Sequence, residues 1–117
     1  MNNNVNKTKY GYEISWADTE NYAAKIIVFD NPIKTDLAFS KEKQRTWFVN
    51  NGIFKIRWID TSSGKLYEKE VKEGAVFHVE PLMPVSLEAV LPGSSVSEVS
   101  SAGDNNLHCV IPAANIG

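Results

Sequence analysis

The sequence is short of the residues that most often carry metal, redox or disulfide chemistry: it has one cysteine, Cys109, and two histidines, His78 and His108, in 117 residues. A single thiol excludes an internal disulfide, and no Cys/His cluster has zinc spacing. Charge of one sign is also missing. Twelve basic and fourteen acidic residues are interspersed along the chain for a net charge of -2, which gives no general electrostatic reason to expect nucleic acid or an anionic membrane as partner. Long apolar runs are absent too. The longest, such as Ile26 to Phe29, fall far short of a bilayer span, and the opening MNNNVNKTKYGYE lacks the apolar centre of a signal peptide. The expected location is therefore cytoplasmic. Without secretion, the Asn6-Lys7-Thr8 match to a glycosylation acceptor carries no meaning.

Neither a heptad pattern nor a sustained 3.6-residue periodicity runs through the chain, apart from a weak amphipathic stretch over Thr19 to Lys25 that serves equally well as a turn. What recurs is short runs rich in Val, Ile, Phe, Tyr and Trp. The predicted strands are Glu13 to Ala17, Lys25 to Phe29, Thr35 to Phe39, Thr46 to Val49, Ile53 to Ile59, Leu66 to Val71, Ala75 to Val79, Val85 to Val90, Val96 to Ser100 and Leu107 to Ile111. Asn31-Pro32, Asn51-Gly52, Ser63-Gly64, Glu73-Gly74, Pro92-Gly93 and Gly103-Asp104 supply the reversals between them. Ten short strands in one domain of this size point to an all-β closed barrel or double-sheet roll, which hides strand edges. The Ser-rich GSSVSEVSSAG, punctuated by Val96 and Val99, is expected to be an edge strand with a loop.

The stretch TDLAFSKEKQRTWFVNNG, Thr35 to Gly52, has the layout of a strand-turn-strand unit closed by an Asn-Gly turn. With GYE at 11 to 13, ISWADTENYAAKIIVF, and EGAVFHVEPLMPVSLEAV from Glu73, it resembles a small single-domain cupin of the mannose-6-phosphate isomerase-like group. The resemblance runs from about Tyr10 to Val110 and implies a double-stranded β-helix, the jelly-roll β-barrel, over residues 10 to 112, with tails over 1 to 9 and 113 to 117. The cupin pattern is H-x-H, four residues, Glu, six residues, Gly, and then a second Gly with a His eleven residues later. In register with Gly52 and Gly74, the family's metal-ligand positions hold Ala38, Ser40, Arg45 and Val85. Glu80 and Leu82 stand where the second turn usually has Pro and Gly.

The family spacing has a physical basis. Residues i and i+2 on a strand face the same way, about 6 to 7 Å apart, so two such side chains reach one ion. Here Ala38 and Val85 have no donor atom, Ser40 is a poor neutral ligand and Arg45 is cationic at any relevant pH. A divalent ion is not expected, and no cofactor is assigned.

Arg45 is the central candidate. Facing inward, it would grip a carboxylate or phosphate in a two-point fork; facing outward, it belongs to the solvated Lys41-Glu42-Lys43-Gln44 turn or pairs with a neighbouring Glu. Trp47 shares its parity, so Arg45, Trp47, Ala38, Ser40 and Val85 are the expected ligand-binding set, lining a cavity smaller and more apolar than a metallocupin's. His78 and Glu80, at i and i+2, are weak candidates for an acid/base pair, against a structural role. Cys109 is expected to be a small buried hydrophobe, and the other aromatics, including Trp16, Trp58, Phe29 and Phe54, to fill the barrel. Tyr12, Glu13 and Asp104-Asn105-Asn106 match barrel-end positions of the family and are assigned no chemistry.

The resemblance, with its ligands replaced, implies a metal-free cupin that binds a sugar, sugar phosphate or carboxylate, or serves as an interaction module, and the reading leans away from an enzyme. The alternative is a metal-independent sugar or nucleotide-sugar isomerase or epimerase using a His base and a Tyr acid; a metal-dependent sugar-phosphate isomerase stands third. Apolar residues on both parities of Ile26 to Phe29 and Ile53 to Ile59 add the expectation of a homodimer.

Overall fold

The computed structural model describes residues 4–116. Residues 1–3 and 117, part of the expected tails, lie outside the described residues. The chain forms β1 (Val5–Lys7), β2 (Gly11–Asp18), β3 (Tyr22–Phe29), β4 (Leu37–Phe39), β5 (Arg45–Asn51), β6 (Ile53–Ile59), β7 (Leu66–Lys72), β8 (Val76–Val79), β9 (Val85–Ala89), β10 (Ser94–Ser101) and β11 (His108–Ile111), then a 3-10 turn over Ala113–Asn115. All ten predicted strands are present, and β1, in the stretch expected to be a tail, pairs with β2. Thr19 to Lys25 holds no helix: the Thr19 hydroxyl accepts the Asn21 and Tyr22 N–H groups in a tight turn that feeds β3. Antiparallel pairing gives a six-stranded sheet, β1-β2-β3-β10-β5-β8, and a five-stranded sheet, β11-β4-β9-β6-β7.

The sheets face each other across an apolar core. Ile27, Phe29, Val49 and Val96 from the first meet Phe54, Ile56, Leu87 and Ala89 from the second, all buried, because alternate residues of each strand point inward. The outward faces differ in chemistry. On the five-stranded sheet the buried Arg57 bonds Glu68 at 3.0 Å and Glu88 at 2.7 Å, and Lys55 adds a contact to Glu68 at 3.7 Å. On the six-stranded sheet, cross-strand register sets Ile14, Ile26, Ser97, Phe48 and Val76 in one row. Phe48 and Val76 in that row are exposed, and so is Trp16, so Trp16 and Phe48 do not fill the barrel as expected of the aromatics.

Two expectations change. The Thr35 to Gly52 stretch is not a hairpin: β4 and β5 lie in different sheets, and the Asn51-Gly52 turn carries the chain from one sheet to the other. Gly52 has a φ of 85°, and a Cβ there would sit 1.9 Å from the Ser94 Oγ, so the turn requires glycine on two counts. The Ser-rich strand is not an edge: β10 lies between β3 and β5. Its small hydroxyls make this workable. Ser94 Oγ donates to the Leu91 carbonyl at 2.7 Å, Ser97 Oγ to Asn50 Oδ1 at 2.9 Å, and Ser95 Oγ to Asn51 Oδ1. The polar side chains that suggested an exposed edge are bonded to the neighbouring strand and loop.

Leu82 occupies the left-handed region at a φ of 68°, the only non-glycine to do so among the described residues. It stands where the cupin pattern has glycine, and its N–H donates to the Ser40 carbonyl at 2.7 Å, which fixes the backbone there. The side chain is 55% exposed and contributes little packing to offset the strain. Leu82→Gly should therefore stabilise the protein by about 0.5 to 1 kcal/mol, the relief of strain outweighing the extra freedom of the unfolded chain. Urea denaturation checks this; a lower midpoint for the variant would show that the leucine side chain has a packing role.

Candidate functional site

The inward rows of the two sheets set the site. In the six-stranded sheet Glu98 of β10 has Lys25 of β3 as cross-strand partner on one side and Trp47 of β5 on the other, while Arg45 stands beside Ser100 in the next row. Facing them, the five-stranded sheet aligns Cys109, Ala38 and Val85 on β11, β4 and β9. Between the sheets lies a cavity of about 720 Å³, within the range of about 300 to 1,000 Å³ usual for small-molecule sites. Ile27, Phe29, Val85 and Leu87 give it apolar walls; Lys25, Arg45, Glu13 and Glu98 form a polar end shared with an adjoining cavity of about 320 Å³.

Glu98 is buried and accepts the Trp47 indole N–H at 2.8 Å. Its other oxygen lies 3.8 Å from the Lys25 ammonium, which donates to Glu13 at 3.1 Å. Arg45 approaches Glu98 only to 4.0 Å, beyond hydrogen-bond range, and its guanidinium carbon lies 5.6 Å from the Trp47 ring centre. The Arg45 side chain is 10% exposed, and its buried Nε has no hydrogen-bond partner. Burial lowers its pKa from the ordinary value and the Glu98 charge opposes that; the group remains cationic. Tyr10, stacked on Phe29, donates its hydroxyl to Glu13 at 2.8 Å.

Four of the five residues expected to bind ligand, Ala38, Arg45, Trp47 and Val85, line the larger cavity. Ser40 lines the smaller one, where its hydroxyl accepts the Lys43 N–H at 3.0 Å and holds the turn. Of the two readings of Arg45, the structure has the inward one, with Glu98 as the nearest carboxylate in place of the turn. His78 and Glu80 are elsewhere: they pair at 2.9 Å on exposed side chains, with His78 Nδ1 3.0 Å from the Thr46 hydroxyl on the outward face of β5 and β8. Cys109 is exposed, not buried, because β11 is the edge of its sheet and its side chain borders the cavity.

Glu98, Lys25, Tyr10 and the chemistry of Glu13 were missed in the sequence. Val96 and Val99 have opposite parity, so the sequence does not say which face of β10 is inward; the structure buries Val96 and Glu98 and exposes Val99. For Glu13 the expectation of a barrel-end structural residue is replaced by a place in the polar cluster.

A divalent metal does not fit the positions where the cupin pattern would hold one. Ala38 and Val85 are direct cross-strand partners offering only hydrocarbon, the Ser40 oxygen already accepts a backbone N–H, and Arg45 brings a positive charge. No group of three His, Cys, Asp or Glu side chains among the described residues converges on one point.

No family model and no curated protein matches the chain. Solved structures do. An oxalate decarboxylase structure from Bacillus subtilis superposes with a TM-score of 0.79 at 18% identity, over 91% of this chain and 30% of that one. The formate complex of oxalate decarboxylase from Lactobacillus farciminis gives 0.78 at 16%, over 91% and 33%. KdgF from Halomonas sp. gives 0.69 at 17%, over 80% of each chain. The chain thus spans about a third of the length of the oxalate decarboxylases it matches. These likenesses establish the fold: a cupin-type double-stranded β-helix.

Tyr10 supplies a test of the polar cluster. Burial, and then the charge and hydrogen bond of Glu13, push its pKa well above the usual tyrosine value. A raised folded value favours the neutral phenol, so its contribution to stability is complete below about pH 10 and is lost as pH rises toward the folded value. Absorbance titration should show a phenol in the native protein that ionises well above the usual tyrosine range and is missing from Tyr10→Phe. Tyr10→Phe should also make the alkaline loss of stability shallower; ionisation of Tyr10 at the ordinary tyrosine value would contradict the cluster.

Proposed function

We propose that this protein is a metal-free cupin-fold module that binds a small molecule between its sheets. The observation that carries the reading is the cavity of about 720 Å³ whose wall, at positions where the cupin pattern has metal ligands, is built from Ala38, Arg45 and Val85. With Ser40 at the fourth position, they leave only a neutral hydroxyl and a guanidinium, which favours recognition of a ligand over metal-assisted chemistry. Sugars, sugar phosphates and carboxylates are the candidate classes. The likeness to oxalate decarboxylases, one solved as a formate complex, supports the carboxylate class. The kinship with the mannose-6-phosphate isomerase-like group rests on the motif register alone, and a metal-dependent isomerase activity finds no donor set here.

A metal-independent isomerase or epimerase is the second reading, favoured by one contact: the Tyr10 hydroxyl on Glu13 at 2.8 Å beside the cavity, a neutral acid next to a carboxylate base. His78, on the outer face, is not available as its base.

A thermal-shift screen of sugars, sugar phosphates and small carboxylic acids tests the binding reading. A ligand at a hundred times its Kd adds about 2.7 kcal/mol, a rise in Tm of roughly 10 °C for a domain of this size. Ala38→Phe, which fills the cavity from β4, should abolish the shift. Indifference of the native protein to every compound, or hits that survive Ala38→Phe unchanged, would remove the cavity from the account.

A further inference from the structure

The polar end of the cavity has donors to spare. Arg45 is nine-tenths buried, its Nε–H is sealed off without an acceptor, its terminal nitrogens are not sealed and make no hydrogen bond, and the nearest carboxylate, Glu98, stands 4.0 Å from one of them with that same oxygen already accepting the Trp47 indole. A buried guanidinium left with an open donor is a costly arrangement that an incoming acceptor relieves. The rest of the cluster is complete: Lys25 spans Glu13 and Glu98, and Tyr10 donates to Glu13.

Charge limits what that acceptor can be. The cavity wall carries Lys9, Lys25, Lys34 and Arg45 against Glu13, Asp36 and Glu98, so its surplus of one positive charge is matched by one further negative charge. A phosphate dianion would set two more negative charges beside two carboxylates. The opposite end limits the ligand's body. Ile27, Phe29, Val85 and Leu87 offer hydrocarbon, the Thr35 hydroxyl is engaged by the Leu87 N–H at 3.0 Å, Lys34 donates to the Ile116 carbonyl at 2.8 Å and Asp36 accepts the Ala113 N–H at 2.8 Å, so a polyol lying along the hydrocarbon would find few free partners.

We propose that the cavity takes a monocarboxylic acid with an apolar body, its carboxylate bound by Arg45 and its hydrocarbon laid along Ile27, Phe29, Val85 and Leu87. This rests on the small-molecule reading above and names the ligand class. Glu98 then acts as an internal competitor: it keeps Arg45 compensated when the site is empty, at a distance too long to satisfy it.

Titration calorimetry with butyrate, hexanoate and octanoate, the matching alcohols, and glucose 6-phosphate tests the assignment. Affinity should rise about fourfold per added methylene while the chain is being buried, and octanoate should bind at least about tenfold more tightly than octanol, the value of a charge-assisted hydrogen bond. Arg45→Met should weaken octanoate by roughly 10- to 100-fold and erase its advantage over octanol. Should that variant not fold, Glu98→Gln supplies the second arm. It keeps an oxygen for the Trp47 indole while removing the competing charge, and should tighten octanoate severalfold. Equal binding of octanol and octanoate, or octanoate binding indifferent to both substitutions, overturns the proposal. Binding of glucose 6-phosphate but not octanoate overturns the ligand class and leaves the binding module standing; no binding by any of these compounds, with no hit in the thermal screen, removes both.

Discussion

The site depends on how a carboxylate is held in the middle of a sheet. Glu98 sits on a central strand and points between the layers, where an isolated charge costs far more than a fold of this size can absorb. Its register neighbours, an ammonium on one side and an indole N–H on the other, answer most of that cost. The guanidinium of Arg45 is tolerated only because this carboxylate is near. Tyr10, Glu13 and Lys25 extend the arrangement toward β1 and β2, so one side of the interior is a charged cluster and the other is hydrocarbon. That asymmetry gives the cavity a direction, with a polar end and an apolar body.

Much of the fold could be read in the sequence because short strands with alternating apolar residues leave a periodic trace and the turns carry Gly or Pro. Every predicted strand is present, and the register built from Gly52 and Gly74 puts Ala38, Arg45 and Val85 around one cavity. Chain order, however, does not say which strands share a sheet. The stretch from Thr35 to Gly52 looks like a hairpin in one dimension, yet its strands face each other from different sheets. The serines of β10 look like solvent-facing residues until their bonds to Asn50 and Asn51 are seen.

The parts of the site that stayed hidden share a cause. Glu98, Lys25 and Glu13 are ordinary charged residues in ordinary contexts, and nothing local marks them as interior. Their meaning comes from pairing across strands that are distant in sequence, such as Lys25 with Glu98 and Glu98 with Trp47. His78 and Glu80 err in the opposite direction. Their spacing is suggestive, but β8 turns that parity to solvent. Spacing along one strand identifies residues that can act together; only the sheet decides which side of the molecule they act on.

The central place of β10 also bears on how the protein assembles. β3 and β5 are near each other in the chain but do not pair; each bonds to a strand that lies well beyond β5 in the sequence. Until residues 94–101 insert, the six-stranded sheet exists as separate halves with open edges, and the polar cluster lacks its carboxylate. Pairing over such sequence separation favours slow folding, with open strand edges until the sheet closes. The serine-rich composition of this strand suits that delay, since a segment poor in large apolar side chains is a weak template for aggregation before it finds its slot.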